Sequence, residues 1–110
     1  MSAHTVVSAT LIATGAGGGL KQMAVRITGS ASYDTGGSVL DLSSYFADEV
    51  RMIHPTAQGT APLGAQYVPA TGNAPATCKL VLIDKDGTEE SSTDNMSTTV
   101  YDLIVTGTDA

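Results

Sequence analysis

The sequence predicts an all-β chain: a single antiparallel β-sandwich or jelly-roll-like barrel, whose N-terminal segment is either an extended arm or the first strand. Three observations point there. Short stretches alternate apolar and polar residues with period two, Gly- and Pro-rich turns separate them, and no apolar pattern of period 3.6 runs long enough for a stable helix. At 110 residues and 11.2 kDa the chain has the size of one compact domain. The organisation expected is an arm or first strand plus a glycine-rich connector over 1–19, then a single β domain over 20–110.

Taken in order, His4 to Thr14 is rich in β-branched residues, and Gly15, Gly17, Gly18 and Gly19 interrupt it with permissive backbone. Gln22 to Ser30 then sets Met23, Val25 and Ile27 on one face against Ala24, Arg26 and Thr28 on the other, which is the pattern of a half-buried strand. Gly36-Gly37 predicts a turn that needs positive φ. Val39 to Phe46 follows with one helical turn, capped by Asp41 or Ser43, whose Leu42, Tyr45 and Phe46 plug one end of the fold.

Glu49–Ile53 reads as a strand stopped by His54-Pro55. From Pro55 to Pro75 the prolines and glycines predict a long loop, with strand character only at Gln66-Tyr67-Val68, and long loops in small domains carry function or contacts. Thr77–Asp84 is apolar on both faces, so it belongs in the middle of a sheet. Asp84-Lys85-Asp86-Gly87 supplies its turn. Thr98–Thr106 closes the fold with Tyr101, Leu103 and Val105 on one face. The expected core includes Tyr33, Leu42, Phe46, Leu82, Tyr101 and Leu103.

Eleven acidic residues against five basic ones give a net charge of −6, so a phosphate-neutralising surface is not expected and nucleic acid is not a partner. No apolar run approaches the ~20 residues of a membrane span, and Met1 to Gly19 lacks the basic flank and unbroken apolar stretch of a secretory signal. A soluble protein, unsecreted by the general route and without a membrane partner, is the expectation. The lone Cys78 reads as a buried hydrophobe rather than a nucleophile.

The residue types for catalysis do not assemble into a local motif. His4 lies in an N-terminal segment expected to be mobile, His54 precedes a proline, and no G-x-S-x-G sequence is present. Asp84, Asp86, Glu89, Glu90 and Asp94 gather hard oxygen ligands near a turn, but Gly87 falls fourth where the calcium loop requires its glycine sixth. The run Gly15 to Lys21 lacks the Ser or Thr that completes a phosphate loop. The reading is therefore a non-enzyme without cofactor or metal, whose business is association.

The stretch Tyr33-x-Thr35-Gly36-Gly37-x-x-Leu40-Asp41-Leu42, with the strand from Lys79 to Asp84 and the β-rich C-terminus, resembles the head decoration, or capsid cement, proteins of tailed bacteriophages. The resemblance implies a virion structural protein on the outer surface of the capsid. Its partners would be the major capsid protein and further copies of itself, as a trimer, with no cofactor and no catalytic residues. Contacts are then expected from Val6, Val7, Leu11 and Ile12 on the N-terminal segment and from Gln66, Tyr67 and Val68 in the Pro55–Pro75 region. A tail- or fibre-associated β domain is the structural alternative. A small carbohydrate-binding module is another, although a chain with no Trp has little with which to stack on sugars.

Overall fold

The structure is a computed structural model and describes residues 3–16, 19–57, 64–84 and 86–109. Seven strands follow one another: β1 (Thr5–Ala16), β2 (Leu20–Thr28), β3 (Ser38–Val39), β4 (Glu49–Ala57), β5 (Gly64–Val68), β6 (Lys79–Ile83) and β7 (Val100–Thr108). They form two antiparallel sheets, one of four strands in the order β1-β2-β7-β4 and one of three in the order β3-β6-β5. This is a sandwich, and the sheets do not close into a barrel. The described residues contain no α-helix, and a short 3-10 turn stands at Thr71–Asn73.

The alternation predicted for β2 and β7 sets the interior. Met23, Val25 and Ile27 pair across the sheet with Val105, Leu103 and Tyr101, and all six are buried. Val50 and Ile53 of β4 extend that layer, while Leu80 and Leu82 of β6 face it from the second sheet. Each large aliphatic or aromatic side chain removed from water contributes about 1.5–3 kcal/mol, so these facing rows are the main stabilising feature. β6 lies between β3 and β5, as its two apolar faces require.

One alternative left open by the sequence is decided and one expectation is revised. Thr5 to Ala16 is the first strand and not a detached arm: β1 pairs with β2 along its length, from Thr5 opposite Thr28 to Ala16 opposite Leu20. The chain does not stop at Pro55, because β4 continues through it to Ala57. β4 is an edge strand, and a proline is tolerated where no neighbour requires its missing N–H. Val39 to Phe46 holds the single turn expected, with the Tyr45 and Phe46 N–H groups both donating to Leu42 O at 3.0 Å. Asp41 rather than Ser43 is its acceptor, taking the Ser43 N–H at 2.9 Å and hydroxyl at 2.6 Å, and these bonds hold the Asp41 carboxyl below the usual range. Leu42 and Phe46 plug the sandwich as expected.

Gly36 and Gly37 both take positive φ, at 89° and 108°. A Cβ at Gly37 would also meet Leu80 C, Lys79 Cβ and Val81 N at 3.2 Å, so the turn needs glycine for its dihedral and for its closeness to β6.

Candidate association surfaces

β1 and β4 are the two edges of the larger sheet. Along β1, the partners opposite buried Ile27, Val25 and Met23 are Val6, Ala9 and Leu11, so these three share the inner face of the sheet, where Val6 and Ala9 pack on the core and Leu11 stays open to water; Ser8, Thr10 and Ala13 belong to the outer face. Val6 is half-buried and packs on the core. Val7, Leu11 and Ile12 are 57%, 52% and 50% exposed. β-Bulges at Val7 and Ile12 explain how apolar residues of both parities reach solvent here. All four N-terminal residues expected to make contacts therefore lie on one strand, with three of them open.

The second group is divided by its own packing. Gln66 is exposed, whereas Tyr67 and Val68 are half-buried. The Tyr67 hydroxyl donates to Val50 O at 2.7 Å, and burial pushes its pKa up to about 12, so the side chain is committed to joining the two sheets. Pro62 and its neighbours at 58–63 lie outside the described residues. β5 packs beneath β4, while the start of β1 is tied to β3 and β6. The two sets of expected contact residues consequently occupy opposite lateral sides of the sandwich.

What ties down the start of β1 is His4, expected from the sequence in a mobile segment and instead only 5% exposed. Its Nδ1 accepts the Ser30 N–H at 3.0 Å. The proton must then reside on Nε2, which donates to Leu80 O at 2.9 Å. The His4 N–H adds a bond to Val39 O at 2.9 Å, and Ser30 and Ser38 hydroxyls meet at 2.8 Å beside it. Burial lowers the imidazole pKa, outweighing the bond to Leu80 and the charge of Asp34. This ring is a neutral structural clasp, and its partners, 26 and 76 residues distant, leave no local signal.

The acidic turn is occupied by its own backbone and neighbours. Asp84 Oδ1 accepts the N–H groups of Asp86 and Thr88, at 2.9 and 3.0 Å. Glu89 Oε2 accepts the Tyr33 hydroxyl and the Gly36 N–H, both at 2.6 Å. Burial, followed by the charges of Asp84 and Asp94, raises Glu90. Among the described residues no His, Cys, Asp or Glu group has metal-holding geometry. Cys78 is buried, its Sγ lies 3.1 Å from Leu40 O, and burial pushes the thiol up to about 11, far from a reactive thiolate.

A depression of about 360 Å³ on the outer face of the larger sheet is lined by Ser8, Thr10, Ala24, Arg26, Asp102 and Ile104, among others. Its one cation, Arg26, is held by both Asp102 oxygens at 2.8 and 3.1 Å, which neutralises the site for a charged ligand. Comparison with family models, with curated proteins and with solved structures finds no match to this chain. Of the features described, the edge strand β1 is the one that shows solvent three large aliphatics, Val7, Leu11 and Ile12.

Proposed function

We propose that this chain is a virion structural protein that binds the outer surface of a tailed-phage head and stabilises contacts between major capsid subunits. The observation that supports the reading is that exposed Val7, Leu11 and Ile12 on the edge strand β1 and exposed Gln66 on β5 lie on opposite flanks of one small sandwich. A body with contacts on both flanks is built to span two neighbours, and repetition over a symmetric shell turns weak contacts into avid binding. The sequence resemblance at Tyr33 to Leu42 supports the head in particular. The net charge of −6 suits a protein held outside the packaged genome.

The test adds purified protein to heads of the parent phage and measures occupancy and resistance to heat and osmotic shock. Removing residues 2–14 would take a strand out of the sheet, so point changes are the informative variants: Ile12→Lys on β1 and Gln66→Lys on β5. Each is expected to lower occupancy and protection while the protein remains folded. Full occupancy by both variants, or recovery of the wild type on tails and not heads, overturns the proposal.

A further inference from the structure

We propose that β1 is a homotypic docking edge, through which two copies of the chain pair antiparallel about a two-fold axis at Ala9. The inference concerns the isolated protein, and on a head β1 would exchange its second copy for a capsid subunit, so dimerisation in solution and head occupancy are read separately. An edge strand offers a row of N–H and C=O groups, and folded proteins ordinarily guard such a row with charge, proline or cover. β1 runs for 12 residues without an ionisable side chain or a proline, and its sheet neighbour is β2 alone.

The occupant is indicated by the symmetry of the strand. Val6-Val7-Ser8-Ala9-Thr10-Leu11-Ile12 reads as two aliphatics, a hydroxyl, alanine, a hydroxyl and two aliphatics, the same pattern in both directions. Two-fold pairing at Ala9 sets Ser8 against Thr10 of the second copy and Val7 against its Leu11, so that exposed aliphatics meet exposed aliphatics. Facing residues of an antiparallel pair share a face of the sheet. Ser8 and Thr10 both belong to the outer face and Ala9 to the inner one, which this register respects. A slip of one residue would set Ala9 against Thr10 and break that match.

Charge favours the same edge. Two molecules of net charge −6 repel through most of their surfaces, whereas β1 adds no charge and the nearest cations of β2 are already paired, Lys21 with Asp109 and Arg26 with Asp102. A strand-to-strand contact belongs with the smaller interfaces, under ~1,200 Å² in total, so the dimer should be reversible and concentration-dependent.

Sedimentation equilibrium over a wide concentration range tests the proposal. The wild type should pass from the 11.2 kDa chain mass to twice that value. Leu11→Lys and Val7→Lys should each weaken dimerisation about tenfold or more, with unchanged circular dichroism, while Met52→Lys on the opposite edge leaves it intact. For the register, Ser8→Cys and Thr10→Cys proteins should form a disulfide-linked heterodimer under mild oxidation when mixed, and much less when each is alone; the native Cys78 is buried. A single-chain mass at every concentration, a closed trimer, or a dimer indifferent to both lysines would overturn the proposal. Equal cross-linking of mixed and separate proteins would overturn its register.

Discussion

The two edges of the four-stranded sheet are built on opposite principles. β4 carries Glu49, Arg51, His54 and Pro55, has the second sheet packed beneath it, and holds the Tyr67 hydroxyl on its Val50 carbonyl. Asn73 reaches Glu49 from the connection beyond β5, at 3.4 Å. β1 has none of these devices, and it shows solvent Val7, Leu11 and Ile12. Since charge and proline deter strand addition, pairing with a further strand is opposed at β4 and unopposed at β1, while the β5 side next to β4 remains a surface for side-chain contacts. It also shows where stability resides: β4 is secured by its ladder to β7 and by Val50 and Ile53 in the core, and β1 by its ladder to β2 and the clasp at His4.

The largest expected effect breaks the guarded flank. Gly107 pairs with Val50, and a Cβ there would lie 2.2 Å from Glu49 O and 2.7 Å from Phe46 Cδ1. Gly107→Ala should therefore destabilise by roughly 3 kcal/mol or more, read as a fall in the urea midpoint, because backbone must move. A midpoint close to wild type would show that β4 is not held so tightly.

Next comes the clasp of the open flank. His4→Ala removes the acceptor of the buried Ser30 N–H and the donor to Leu80 O, with an expected loss of about 2–3 kcal/mol. The pH dependence has a definite sign. The folded pKa is lowered by burial, so below 6.5 the unfolded chain takes up a proton that the folded ring resists. Stability contributed by this group is complete above 6.5 and falls with decreasing pH until the folded value is passed, with a limiting slope of about 1.4 kcal/mol per pH unit. Wild type minus His4→Ala, compared across that window by urea unfolding, should show the slope; a pH-independent difference would mean the ring is not held neutral.

A smaller change sharpens the contrast at β4. Tyr67→Phe deletes one hydroxyl bond to Val50 O and should cost about 1 kcal/mol, leaving association through β1 untouched. Smallest in stability is Leu11→Lys: its site is half open to water, so the monomer should change by no more than ~0.5 kcal/mol. A large fall in its monomer stability would show that Leu11 serves the core instead of the edge.

Much of the fold is legible because alternation is a local property. Met23, Val25 and Ile27, and likewise Tyr101, Leu103 and Val105, declare their buried face without reference to anything distant. Ser38–Val39 was not legible as a strand, since two residues carry no period and their pairing depends on Leu80 and Lys79. Pro55 was misread as an end because a proline stops a central strand but not an edge, and strand order is not written locally. Of the association surfaces, the apolar residues of β1 were legible and their setting was not.

The all-β class, the faces of β2 and β7, the positive-φ turn at Gly36-Gly37 and the want of charge along Thr5 to Ala16 can all be read locally, since each depends on neighbours within a few residues. Only the assembled fold makes β1 an edge, sets β5 against the inner face of β4, turns Tyr67 inward and makes His4 a neutral clasp. Those outcomes depend on which strands meet across tens of residues, as when Ser30 and Leu80 converge on a single imidazole. Long-range pairing is selected by burial summed over the whole sandwich, and no short stretch of sequence records that sum.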